Sequence, residues 1–390
     1  MYKVKIAAIA KDESAYLSEW IFHHLKFGFD EIEIYINNTQ DNSLVLLDKL
    51  VKNYPIKFKV VDSLFQKSKG DFQPRAYNKM VVDAKNEMFT HLFFLDIDEF
   101  WTPSDFETGI HQYLETHDEA DSYLFRWAMH YDDDGLFSVC FKEQLRLRKA
   151  PQIKHLLNLN SDFKRVGIHN TYQNDFNYRS PSNELVIFDD NDKVRSKVDI
   201  NCTSFGMEAF VVHRAYRSQL EYVSLLSRGR PSGDKIKNNR FGYYLANDFD
   251  FSFDIKPYKL ASYYSEYSIF MEENNLLDIS LTARGYIINR YLNSLATFDS
   301  ELSQVDLFVL KKALINVKIP EIIELYDRLF YKSKSNLDKA VNELRDMAIK
   351  FELEGNVSIA LDVMQIAQKI RPRGPVINKK IDQYKKSLEE

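Results

Sequence analysis

Three carboxylates follow one apolar run. Leu92-Phe93-Phe94-Leu95 leads directly into Asp96-Ile97-Asp98-Glu99-Phe100-Trp101. If the run is a strand, Asp96 and Asp98 project to the same side, and paired oxygens facing a crevice suit a hard divalent ion that also holds substrate phosphates. The alternative is a solvated strand end whose acids cap a following helix.

The elements that must carry these acids follow from periodicity. Val4 to Ala10 reads as a buried strand, Leu17, Trp20, Ile21, His24 and Leu25 as one face of a helix, and Ile32 to Ile36 as a second strand. Leu44 to Val51 reads as a helix and Ile56 to Val61 as a third strand. Tyr77, Met80, Val81, Ala84 and Met88 mark a helix that starts near Gln73 and Pro74, and His91 to Leu95 is a fourth strand. Short apolar runs alternating with helical patterns predict βαβ units and a parallel sheet, with ligands at the carboxyl ends of its strands. Strands are expected at Tyr123 to Tyr131 and Phe210 to His213, and from about 265 the pattern is persistently helical. Leu344, Ala348, Phe351, Gly355, Ala360, Ala367 and Pro372 match the small and large positions of one tetratricopeptide unit, which any close-packed helical hairpin also places.

Composition narrows the class. At roughly 150 residues per domain, 390 residues predict two to three domains. The 12 glycines and 10 prolines exclude a linker-dominated or collagen-like chain. With 57 acids against 52 bases the net charge is -5, so a nucleic-acid partner would need a local basic face that this balance does not supply. Cys140 and Cys202 stand apart with no CxxC spacing, which argues against structural zinc or a disulfide framework and fits a reducing cytosol. The longest apolar runs are far short of a spanning helix, and Lys11, Asp12 and Glu13 interrupt the first of them before it could serve as a signal peptide. The expectation is a cytoplasmic protein, with peripheral attachment at the inner membrane through Lys379-Lys380 and Lys385-Lys386 as the alternative to a solvated helix face.

Four segments occur in a telling order. They are Lys11-Asp12-Glu13 with Tyr16-Leu17, Glu19-Trp20 and His24; Asn37-Asn38-Thr39 with Asp41-Asn42-Ser43; Gln73 with Ala76-Tyr77-Asn78 leading to Asp96-Ile97-Asp98-Glu99-Phe100; and His213 with Ser218 and Arg228-Gly229-Arg230. Over residues 1 to about 235 this arrangement resembles glycosyltransferases of the GT-A type, in the family-2-like group related to family 92. The resemblance implies an α/β fold, a Rossmann-like mixed sheet with an α-helical C-terminal extension, divided as 1–265 and 266–390. It implies transfer, of hexosyltransferase type, from a nucleotide-sugar donor, expected to be a UDP-sugar, to a saccharide or glycolipid acceptor in surface polysaccharide or lipopolysaccharide synthesis.

The same resemblance implies site roles. Asp98 would ligate the metal, Asp96 would reach it through water or contact the ribose, and His213 would complete the shell. Because imidazole suits manganese better than magnesium, manganese is the expected ion, with magnesium as the alternative. Lys11, Asp12, Glu13, Asn37, Asn38 and Asp41 would line the nucleoside pocket with Gln73 and Tyr77. Arg75, Arg228 and Arg230 are candidates for phosphate contact because guanidinium forks match phosphate oxygens. The run Asn37 to Ser43 also reads as a turn with a helix N-cap at Asn42 or Ser43.

Asp132, Asp133, Asp134 and His169 are the candidate catalytic bases for the acceptor hydroxyl. Here the chain departs from the family pattern, which has a small turn after Trp127. Tyr16, Trp20, Tyr77, Trp101 and Trp127 are candidate stacking platforms. The rival readings are a sugar nucleotidyltransferase, opposed by the lack of glycine after the first strand, and a non-enzymatic protein that binds partners through its C-terminal helices.

Overall fold

The structure is a computed structural model that describes residues 1–68, 70–131, 135–171, 173, 175–189, 192, 195–199, 206–228, 236–243, 249–300 and 302–389. The first half is built of β1 (Val4–Ala10), α1 (Ser14–Lys26), β2 (Glu31–Ile36), α2 (Ser43–Leu50), β3 (Ile56–Val60), α3 (Asp62–Lys67), α4 (Phe72–Asn86) and β4 (His91–Phe94). β1 pairs in parallel with both β2 and β4, and β2 with β3. The chain continues through β5 (Glu99–Pro103), α5 (Ile110–Glu115), β6 (Ser122–His130), β7 (Gln144–Asn158), β8 (Tyr178–Arg179), β9 (Ala209–His213), α6 (Gln219–Leu226) and β10 (Phe251–Asp254). They complete one ten-stranded sheet in the order β3-β2-β1-β4-β7-β6-β9-β5, with β10 on β7 and β8 on β6. A parallel half joined to an antiparallel half makes the α/β mixed sheet that the resemblance implies.

Pleating sorts the strands between two cores. Val4, Ile6, Ala8 and Ala10 of β1 and Ile32, Ile34 and Ile36 of β2 pack with Leu17, Trp20 and Ile21 of α1, while Ala7, Tyr35, Leu92 and Phe94 face Ala76, Tyr77, Met80 and Ala84 of α4. The wholly buried Lys5 meets Glu31 at 2.8 Å, Glu33 at 3.1 Å and Glu87 at 2.5 Å. Lys57 and Lys59 of the edge strand β3 extend this network to Glu31, Glu33, Glu87 and Asp83. The charges also mark β3 as an edge, which lysines protect from pairing.

The chain divides into two compact units, Met1–Ser300 and Glu301–Glu390. The division falls later than the 265 read from the sequence, because α7 (Pro257–Glu273) and α8 (Leu277–Phe298) bury Tyr263, Phe270, Met271 and Ile279 in the same core as Phe22 and Trp101. The second unit consists of α9 (Gln304–Ala313), α10 (Pro320–Leu353), α11 (Val357–Ile370) and α12 (Pro375–Glu389). Its core holds Ala348, Ala360 and Ala367, the small residues of the helical-hairpin pattern, with Met364, Ile381 and Tyr384. Gly355, at φ +80°, ends α10 with a Schellman motif: Asn356 N–H donates to Phe351 O and Gly355 N–H to Glu352 O. Among the described residues no helix is long and apolar enough to cross a membrane.

Two buried histidines set an acid limit on the fold. His23 lies against Trp101 O at 2.8 Å and Tyr263 OH at 3.1 Å, and burial pushes its pKa down to about 3. His155 has neither ring nitrogen hydrogen-bonded, and burial, with Lys154 and His169 adding, also holds it at about 3. Both bind a proton more weakly folded than unfolded, so stability is complete above pH 6.5 and declines as pH falls from there toward 3. Between pH 6.5 and 5.5 each steepens the loss toward about 1.4 kcal/mol per pH unit. Urea unfolding at these two pH values tests this: His155→Leu should reduce the difference, and an unchanged difference refutes the assignment.

Candidate active site

The acids after β4 do not stay on a strand. Residues 95–98 form a turn between β4 and β5, so strand pleating does not set the directions of Asp96 and Asp98. Asp96 turns to Lys154 of β7, Oδ2 to Nζ 2.9 Å, whereas Asp98 turns to His213 at the end of β9, Oδ2 to Nε2 3.5 Å. Glu99 is no crevice acid either. It is wholly buried in β5, where Lys154 Nζ lies 2.9 Å away and Asp96 N–H donates to it at 2.8 Å. Burial pushes the Glu99 carboxyl up to about 7 against the pull of Lys154, while Lys154 stays charged, facing both Asp96 and Glu99.

Asp98 and His213 are the second pair at this turn, both partly buried. Burial alone would raise the Asp98 carboxyl, but His213, Arg217 and Arg240 hold it well below the usual carboxylate range. The backbone fixes both partners: Glu99 pairs in register with His213, and Arg214 N–H donates to Asp98 O at 2.8 Å. Trp127 stands beside them, its ring centroid 4.2 Å from that of His213 and 5.4 Å from that of His169. The register of β6 on β7 shifts between Arg126 and Ala128, and this irregularity at Trp127 re-aims one side chain at the site. Trp127 Nε1 and His213 Nδ1 are buried without hydrogen-bond partners. His169 Nδ1 lies 3.1 Å from Ile153 O and so carries the proton, leaving Nε2 as an acceptor; burial, with Lys154 adding, lowers its pKa to about 4.

A wall of cations stands opposite. Arg217, 6% exposed, stacks on Tyr16 with its guanidinium carbon 3.3 Å from the ring centroid and reaches Glu13 at 3.3 Å. Arg228 binds Glu13 at 2.9 Å and the Lys11 carbonyl at 3.0 Å. Lys237 is pushed well below the ordinary lysine range, first by burial and then by Arg240 and Arg228. Like charges are therefore crowded around Glu13 and Asp98, an arrangement that an anionic ligand relieves. Sequence reasoning found Arg228 but not Arg217, Lys237 or Arg240. Lys235-Ile236-Lys237 and Arg240 do form a local basic run that would have pointed here.

The loops after β1 and β2 are held chiefly by their own acids. Asp12, at φ 53°, accepts from Gln40 N–H at 2.7 Å, and its N–H donates to Thr39 Oγ1. Asp41 accepts from Ser14 N–H and from Ser43 N–H and Oγ–H, so Asp41 supplies the bonds expected of an Asn42 or Ser43 cap. Asn37 is buried, and Asn38 donates its N–H to Asp62. Gln73 donates to Tyr77 OH at 2.9 Å, and Asp96 contributes to the raised pKa of that buried phenol. Arg75 pairs with Asp71 on the exposed start of α4. Trp20 and Trp101 are wholly buried in the core, so neither offers a stacking face. Arg230, Cys202, Asp132, Asp133 and Asp134 lie outside the described residues.

Among the described residues no group of three or more His, Cys, Asp or Glu side chains is arranged to hold a metal ion. Asp98 and His213 nonetheless supply one oxygen and one nitrogen donor side by side, a pair that fits manganese if a ligand and water complete the shell.

No curated protein matches the chain by sequence. Among solved structures, the chain is similar to S. aureus TarS 1-349 in complex with UDP (13% identity, 40% of this chain and 47% of that one, TM-score 0.28). It is also similar to the same protein in complex with UDP-GlcNAc (12% identity, 84% and 83%, TM-score 0.30) and to HddC from Yersinia pseudotuberculosis (13% identity, 41% and 77%, TM-score 0.25). The chain thus spans about half the length of the first of these. The model of glycosyltransferase family 92 matches residues 6–182, the segment that carries Glu13, Asp98, Trp127 and His169.

Proposed function

We propose that the chain transfers a sugar from a nucleoside-diphosphate donor, read as a UDP-sugar, to a saccharide acceptor, with manganese held between Asp98 and His213. The observation that carries this is the pairing of those two donors with a crowded cationic wall of Arg217, Arg228, Lys237 and Arg240. A bound divalent ion would act as a Lewis acid on the departing diphosphate. The cations do the remaining charge work: placed before the donor arrives, they hold oxyanions without reorganising. Lys154 keeps Asp96 turned away from Asp98, so Asp98 and His213 are the protein's two ligands and Asp96 lies at the edge of the pocket.

The indole of Trp127, partly exposed, offers a flat face to a sugar between the two histidines. His169 is the base we assign: its Nδ1–H is committed to Ile153 O, its ring is neutral at pH 7, and Nε2 is free to take a proton from the acceptor hydroxyl. On the family resemblance, the acceptor is read as a saccharide or glycolipid of surface polysaccharide or lipopolysaccharide synthesis.

Asp98→Ala should abolish manganese-dependent hydrolysis of the donor while the circular dichroism spectrum is retained; unchanged turnover refutes the metal assignment. Release of a nucleoside diphosphate is expected, and release of pyrophosphate would instead mean nucleotidyl transfer. His169→Ala should lower kcat about 100-fold or more with donor KM little changed. A kcat near that of the wild type removes His169 as the base.

A further inference from the structure

Helix α8, well beyond the segment matched by the family 92 model, sends a charged side chain toward the same loops. Arg290 is 8% exposed. Its Nη2 donates to Ser224 Oγ at 3.2 Å, whereas Nε and Nη1 are buried with no hydrogen-bond partner. The acids that act on it are already engaged. Glu13 binds Arg217 and Arg228, and Asp12 accepts from Gln40 N–H and from Tyr286. Arg228 adds a repelling charge, and together with burial it lowers the Arg290 pKa. A buried cation with two unmet donors beside a second cation is costly in the free protein, and an anion relieves both the unmet donors and the repulsion.

The helix that carries it is also held in place. Asn42 donates to Ile279 O at 2.8 Å, which ties α8 to the loop after β2, and Ser294 Oγ–H donates to Arg290 O at 2.9 Å while lying 2.5 Å from Ser227 Oγ. Preorganised donors lose little on binding, which suits a receptor for a small, highly charged group.

We propose that Arg290, together with Arg228, receives a phosphoryl oxyanion, which in the site read above belongs to the donor diphosphate, so that α8 completes the donor pocket from outside the segment that the family 92 model matches. The inference rests on that reading for the identity of the ligand, not for the presence of an anion site.

The test is calorimetric titration of the full chain in metal-free buffer with inorganic pyrophosphate, UDP and uridine, on the wild type, Arg290→Gln and Arg290→Lys. Arg290→Gln should weaken pyrophosphate and UDP at least tenfold, leave uridine unchanged, and raise the Tm of the ligand-free protein by removing an unpaired buried charge. Arg290→Lys should stay folded and weaken both anions less. Wild-type affinity for both anions in Arg290→Gln overturns the proposal. So does a loss of affinity accompanied by a lower Tm in both variants, which is the mark of a purely structural arginine. Pyrophosphate binding that depends on Arg290, with UDP binding no more tightly than pyrophosphate, keeps the anion site and rejects the nucleotide reading instead.

Discussion

The geometry of the site depends on one buried cation. Lys154 reaches from β7 to Asp96 in the turn after β4 and to Glu99 at the start of β5, both at 2.9 Å. Removing one partner from a buried pair costs about 3–5 kcal/mol, whereas an exposed pair such as Arg75 with Asp71 contributes about 0–1 kcal/mol. The buried clasp therefore decides where the turn points. It also closes the turn on itself, since Asp96 N–H donates to the Glu99 carboxylate and Glu99 N–H to Asp96 O. With Asp96 drawn toward β7, Asp98 is left to face β9, and the Glu99–His213 register delivers the imidazole.

The second half of the site follows from how the chain leaves β9. Arg217 takes a left-handed backbone, φ 53°, with its carbonyl accepting from Tyr243 OH at 2.6 Å. Ser218 then caps α6 in a capping box with Glu221. A strained residue followed at once by a firm cap aims the guanidinium back at Tyr16 and Glu13 rather than into solvent. Glu13 joins Arg217 and Arg228, so the loop after β1 and the two ends of α6 are fastened by one carboxylate. Loops that would otherwise flex become walls of known position.

Much of this was legible in the sequence, and the reason it was legible is local. Strands β1, β2 and β4 announce themselves as apolar runs, and Asp98 and His213 sit at the ends of such runs, where a sheet opens its crevice. Residues whose meaning depends on a distant partner were not legible. Lys154 lies inside Ile153 to Leu159 and Lys5 inside Val4 to Ala10; a lysine within an apolar run signals a buried ion pair, but nothing local says with which acid. β7 was missed although Leu145 and Leu147 alternate with Gln144, Arg146 and Arg148, because its many charges resemble a loop until the sheet buries every second residue. Trp101 read as a crevice platform from its place beside the acids, but β5 carries it into the core. Arg290 carries no local signal at all, being one arginine in an ordinary helix.

The segment after residue 182 is thus more than an appendage to the segment that the family 92 model matches. His213 and Arg217 come from β9 and the loop behind it, and Arg228 and Lys237 come from the end of α6 and beyond. The core makes the same demand. Tyr263 and Phe270 of α7 pack on Phe22 with ring centroids 5.1 and 5.6 Å apart, and Phe253 of β10 packs on Phe210 at 5.2 Å. Cut at residue 182, the domain would expose those apolar rings and leave Asp98 without His213. Its fold and its chemistry both close near Ser300, because the residues that bury the sheet are drawn from the same strands and helices that supply the charges of the site.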